Sequence, residues 1–131
     1  AEYEARMGVM LQDHGGMEHP DIKWWWGSPD ALVGDDGGVE IKCKTTMNHL
    51  DTMMSGKIDT AHLYQITGYV EIFGAEWWDY VGYDPRLPEN LCFFRKRFYR
   101  DELPTKEVKE AVVKFIDELN ELERKVRAIT N

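Results

Sequence analysis

Cysteine is scarce in this chain of 131 residues: Cys43 and Cys92 are the only two. Neither lies in a CxxC pair or a Cys/His cluster with zinc-ligand spacing, which excludes a zinc ribbon and a multiply stapled scaffold. The residues allow one disulfide or two free thiols, and two buried thiols in a reducing cytosol is the expectation. Long apolar runs are missing too. No stretch approaches the ~20 residues of a membrane span, and Ala1–Arg6 is polar and charged, so no secretion signal is expected. Basic residues are outnumbered: 16 Lys and Arg against 24 Asp and Glu leave a net charge of −8. Taken globally that argues against nucleic acid, whose phosphates are held by Lys and Arg. There is no internal repeat and no low-complexity segment. Ordinary apolar content and plentiful aromatics describe one globular domain, residues 1–131.

Charge reads differently when taken locally. Arg95-Lys96-Arg97 and Arg100 form a basic cluster, with Arg86 not far before it. The same four positions could instead be a solvated sheet edge protected by charge. On an alternating strand only about half of them can face a phosphate.

Glu2 to about Gln12 reads as a helix ended by Gly15-Gly16. Lys23–Val33 reads as a strand opened by Trp24-Trp25-Trp26 and irregular near Pro29. The GDDGG turn returns the chain into a strand over Val39–Lys44, making a hairpin. Thr45–Asp59 has no clear period and is expected to be irregular or partly helical. A helix capped by Asp59 or Thr60 runs to Phe73, with Gly74 at its end. Strands follow at Glu76–Tyr83 and Leu91–Tyr99. A long last helix opens at Pro104-Thr105, its apolar residues from Val108 to Ile129 falling on one stripe. This order gives an α/β chain: a mixed central sheet flanked by helices. The stripe is expected to pack on the chain's own sheet; a coiled-coil seam is the other reading.

The hairpin holds the residues with chemistry. Glu40 and Lys42 share a face of their strand, and Asp30 on the partner strand can sit across from Glu40. Two carboxylates and the Ile41 carbonyl supply half the octahedral oxygen shell that magnesium takes. A divalent ion there lowers the pKa of water, and Lys42 beside it offsets charge growing on a phosphate. The same short pattern also describes a solvated Asp-Gly hairpin.

SPDALVGDDGGVEIKC resembles the core of the lambda-exonuclease-like, YqaJ-type branch of the PD-(D/E)XK nucleases, with its SPDGL, acidic glycine turn and E-[IL]-K-C-P. Three more segments agree in order: EYEAR with the family's E-x-E-A-R helix, GKIDTAHLYQITGYVEIFG with its glutamine-bearing helix, and WWDYVGYDPRLPENLCFFRKRFYRD with its next two strands. The resemblance implies a restriction-endonuclease-like core and a magnesium-dependent exonuclease, manganese substituting, with two ions per site. It implies digestion of linear double-stranded DNA from 5′ to 3′ for phage-type recombination. Asp30 would bind both ions, and Glu40 and the Ile41 carbonyl the ion that holds the attacking water. Lys42 would position that water, Glu2 help bind the second ion, and Gln65 contact the nucleophile. Tyr69 shares a helix face with Gln65 and, like Lys44, is expected to contact DNA. The resemblance also implies a single-strand annealing recombinase as partner, a trimeric ring and the cytoplasm of a bacterial host. An endonuclease of the same superfamily, or a silent DNA- or partner-binding module, is the alternative. Two departures stand out. Lys44 replaces the proline after Cys43, and a basic segment that usually precedes the E-x-E-A-R helix is expected to be lacking.

Other residues carry plainer readings. Glu2 and Glu4 suit the first turn of a helix by charge alone. The tryptophans could stack on bases, but at least two are expected in the core. His14, His19, His49 and His62 form no zinc pattern and are expected at the surface or in packing. Met47, Met53 and Met54 are expected in packing or in a loop.

Overall fold

A glycine pair lets the second strand of the central hairpin approach its parallel neighbour. In the computed structural model, which describes residues 1–130, a side chain at Gly37 or Gly38 would overlap the rings of Trp77 and Trp78. Only glycine lets these two strands approach there. The GDDGG segment is thus both a turn and the start of the strand Gly37–Lys42.

The elements run α1 (Glu2–Met7), β1 (Leu11–Gln12), β2 (Met17–Glu18), β3 (Trp26–Gly27), β4 (Ala31–Val33), β5 (Gly37–Lys42), α2 (Thr46–Ser55), α3 (Thr60–Phe73), β6 (Trp77–Tyr83), β7 (Phe93–Tyr99), a 3₁₀ turn (Arg100–Glu102) and α4 (Thr105–Thr130). Five strands form a mixed sheet in the order β1-β4-β5-β6-β7, parallel only between β5 and β6. The expected mixed sheet with flanking helices and a long last helix is the architecture observed.

Alternation splits the core into two layers. Ile66, Tyr69 and Val70 of α3 pack on Trp78 and Tyr80. On the other face Tyr3 of α1 packs with Ala31, Val33, Val39 and Val81. Each fully buried residue of this kind contributes roughly 1.5–3 kcal/mol.

Several boundaries differ from the sequence reading. Helix α1 stops at Met7, because Gly8 takes a left-handed conformation (φ 65°) and closes it; Leu11-Gln12 beyond it is a strand. The single strand expected over Lys23–Val33 is two. Trp26-Gly27 pairs with Met17-Glu18 in a separate ribbon, and the chain joins the main sheet only after Pro29. The segment after Lys44 holds a full helix, α2, whose start is fixed by the Thr45 hydroxyl accepting from the Asn48 N–H at 3.3 Å.

Three burial expectations are also corrected. Cys43 is exposed and only Cys92 is buried; both are free thiols. Trp24 and Trp26 are more than half exposed, and Trp25 alone is half-buried, stacked on His19 at 5.1 Å. The segment is a tight bend (Trp24 φ 76°), so alternate residues do not face one interior. The α4 stripe does not lie on the sheet. Helix α4 packs on α3, with Val108, Val112 and Ile116 half-buried, and Phe115, Leu119, Leu122, Val126 and Ile129 stay exposed. No described helix is long and apolar enough to cross a membrane.

Candidate active site

The site lies where β5 leaves the sheet. Register pairs Ala31 with Val39, so Asp30, one residue earlier, falls opposite Glu40. The Ile41 N–H donates to Asp30 Oδ2 at 2.7 Å, which fixes that carboxylate against the β5 backbone between Glu40 and Lys42. Lys42 Nζ lies 3.0 Å from Glu40 Oε1. The structure therefore brings Asp30, Glu40 and Lys42 together. The Ile41 side chain alternates away from them and is partly exposed.

Glu40 is only 4% exposed, and its second oxygen, Oε2, is buried with no protein partner. Burial pushes this carboxyl above its ordinary range; the Lys42 ammonium pulls it down, and the nearby Asp30 charge pushes it up again. A buried, unpartnered carboxylate oxygen beside a second carboxylate is the donor arrangement a hard divalent cation satisfies. The residues present fit such an ion.

Helix α3 supports the loop that carries Asp30. Gln65 Nε2 donates to the Tyr69 hydroxyl at 3.0 Å, and that hydroxyl donates to the Ser28 carbonyl at 3.1 Å. Tyr69 is buried, so it braces the loop and presents no surface to DNA. Burial and the Glu40 charge hold its phenol above the usual range.

Other expected residues lie elsewhere. Glu2 is held by Arg6 at 2.6 Å and lines a hollow of about 310 Å³ with Ile41 and Val81. Among the described residues no group of three or more His, Cys, Asp or Glu could hold a metal, so Glu2 does not join Asp30 and Glu40. The basic cluster is engaged by acceptors of the protein itself, although Arg95 and Lys96 stay exposed. Arg97 makes bonds of 2.8 and 3.0 Å to the buried Asp79, Arg95 reaches the same carboxylate at 3.4 Å, and Arg100 binds Glu71 and the carbonyls of Val70 and Ala75. Lys96 donates to the Gly56 carbonyl at 2.7 Å. Sequence could not show this, because a buried Asp on the neighbouring strand is a non-local partner.

One residue facing the site, His62, is expected from sequence only at the surface or in packing. His62 lies on the α3 side that carries Gln65 and Tyr69, with spacing i, i+3, i+7, and its ring is 5.7 Å from that of Tyr80. Burial and then the Lys42 and Lys44 charges hold it below its ordinary pKa, with Asp59 opposing. The helical spacing was the available signal.

The fold is shared with exonucleases of solved structure. An alkaline exonuclease from Laribacter hongkongensis matches with TM-score 0.89 and 34% identity, over 98% of this chain and 68% of that one, as does the same enzyme solved in complex with dAMP. A phage-related exonuclease from Haemophilus somnus 129PT shares the fold (TM-score 0.55, 16% identity, 93% and 67% covered). No curated protein sequence matches. Residues 1–76 match the YqaJ-like viral recombinase domain, and the chain belongs to that family.

Proposed function

We propose that this chain is a magnesium-dependent exonuclease that hydrolyses linear double-stranded DNA from its 5′ ends. The observation that carries this is the convergence of Asp30, Glu40 and Lys42 around a buried carboxylate oxygen that no protein group satisfies. Asp30, Glu40 and the Ile41 carbonyl would hold the ion. Bound there, it supplies positive charge that makes water a better nucleophile and offsets charge on the phosphate.

The chain's own groups do the rest. Two adjacent carboxylates repel until a cation lies between them, which ties the site's electrostatics to metal uptake. Lys42, now held by Glu40, has a three-donor ammonium free to turn toward a water and a phosphate oxygen once Glu40 is engaged elsewhere. Its carbon stem runs on the inner face of β5, so its aim is set by the strand. The Gln65–Tyr69–Ser28 relay holds the loop and with it the Asp30 carboxylate. A second ion would need a further carboxylate, and Glu2 could serve only by leaving Arg6.

The test is a gel assay on end-labelled linear duplex and closed circular duplex, with and without Mg²⁺. The expected result is stepwise loss of linear DNA from the 5′ ends with the metal only, and intact circles. Asp30→Ala and Lys42→Met should each reduce the rate about 10²- to 10⁴-fold, with an unchanged circular-dichroism spectrum. Cleavage of the linear duplex by Asp30→Ala at the wild-type rate would end this reading. Cut circles would convert it to an endonuclease.

A further inference from the structure

The inner face of β5 continues past Lys42. Two residues on, Lys44 turns to the same side: its ammonium lies 5.7 Å from the ring centroid of Tyr80. The Lys44 side chain is only 16% exposed, yet its contacts, to Thr52 Oγ1 and Asp59 Oδ2, are both at 3.5 Å. A largely buried ammonium with three donors and no short bond is under-coordinated.

Its surroundings show the same deficit. Buried polar atoms without a protein partner include His62 Nδ1 and Tyr80 Oη as well as Glu40 Oε2, all on residues of the layer between the sheet and α3. His62 Nδ1 is 3.9 Å from Asp59 Oδ2, so Lys44 and His62 face each other across one exposed carboxylate.

The backbone at Lys44 is fixed from outside. Its carbonyl accepts from Arg86 Nη2 at 3.2 Å, Arg86 is bound to the buried Asp84, and Asp84 accepts the Thr46 hydroxyl at 2.6 Å. Lys44 thus points from a rigid segment toward a polar hollow of about 760 Å³ bordered by Asn48, Thr52 and Lys57.

We propose that Lys44, with His62 Nδ1 beside it, grips the backbone phosphate adjacent to the scissile one. Two residues of extended chain span about 6.6 Å, close to the step between successive phosphates along a strand, so Lys42 and Lys44 can engage consecutive phosphates. Asp59 swings into solvent as the phosphate takes its place. His62, in its Nδ1–H form, donates to the same phosphate without bringing a second charge. The inference rests on the nuclease reading above.

The test is duplex-DNA affinity by fluorescence anisotropy across a salt series, with Ca²⁺ in place of Mg²⁺ to prevent turnover. One phosphate contact contributes about 0.9 to the slope of log affinity against log salt. Lys44→Met should flatten the slope by about that amount and weaken low-salt binding by roughly 3- to 10-fold. Lys44→Arg should keep the slope. His62→Phe should weaken binding with the slope unchanged, and His62→Gln should recover most of the loss. Lys106→Met on the exposed face of α4 is the control. A wild-type slope in Lys44→Met, or a flattened slope in Lys44→Arg, would overturn the inference. Failure of the wild-type chain to cut linear duplex in Mg²⁺ would overturn the nuclease reading instead, so the two failures are distinct.

Discussion

Replacing Asp79 by Asn tests whether the basic strand is scaffold or grip. Asp79 is fully buried and accepts from Arg97 at 2.8 and 3.0 Å, Arg95 at 3.4 Å and the Tyr3 hydroxyl at 2.6 Å. Burial first, then the hydrogen bond to Asp79 and its charge, push the Tyr3 phenol up to about 12. The same pairing raises the Arg97 guanidinium above its usual range. Asn keeps the shape and removes the charge, leaving Arg97 stacked on Trp77 at 3.6 Å without its counter-ion. Breaking a buried pair costs about 3–5 kcal/mol. Arg97 keeps 26% side-chain exposure, so solvent recovers part of that and about 3 kcal/mol is expected. Against a total stability of about 5–15 kcal/mol this is large. At a chain length between the reference sizes it corresponds to a drop in Tm of roughly 10–15 °C. Urea unfolding followed by circular dichroism reads the loss directly. Tyr3→Phe should cost about 1.5–3 kcal/mol alone, since it removes one bond to a charged acceptor. Asp79→Asn within 1 kcal/mol of wild type would refute the reasoning. So would a flatter salt slope for DNA binding in Arg97→Met without loss of stability, which would return that arginine to the DNA surface.

The remaining predictions follow from the site and from α4. The Glu40 carboxyl is raised in the folded state, so its stabilising contribution is complete below the unfolded pKa and lost as pH rises through the folded value. Metal-free protein should therefore lose stability from about pH 4 upward, Glu40→Gln should remove that slope while abolishing cleavage, and urea titration in EDTA at several pH values measures it. Asp84 has the opposite sign. Arg86 first, then Thr46, holds it well below the carboxylate range, so its contribution is present above its unfolded pKa and fades as pH falls; Asp84→Asn should reduce the acid dependence. Tyr69→Phe breaks the relay to Ser28 at a cost of about 1 kcal/mol, and kinetics should show a lower kcat with little change in KM. Leu122→Glu in the exposed stripe should leave Tm within about 1–2 °C.

What could be read from sequence was local or repeated. The pairing of Asp30 with Glu40 follows from a short turn and strand alternation, both written within one stretch of chain. The α3 and α4 helices are long enough for their periods to show. The α2 helix was obscured because Met47, Met53 and Met54 follow no apolar period; its cap, Thr45 to Asn48, is a single bond. The tryptophan segment misled for the converse reason. It has strand composition, but a positive φ at Trp24 and Pro29 after it break the alternation on which burial was inferred.

The charged residues divide by where their partners come from. Glu40 and Lys42 meet within one strand, so their joint role is visible as a spacing. Arg95, Arg97 and Arg100 meet Asp79 and Glu71, which lie on other elements and become neighbours only when β6, β7 and α3 have assembled. An arginine run is therefore ambiguous until the opposite buried acid is known, and a net charge resolves nothing. The YDPR stretch makes the same point in reverse. Asp84 and Arg86 pair locally, but the effect of that pair is on the distant Lys44 carbonyl and Thr46 hydroxyl, where it fixes the chain just beyond Lys42. A motif that looks like a turn is, once folded, a clamp on the end of β5. Its loss should therefore show first in the position of Lys44 and only afterwards in the stability of the sheet.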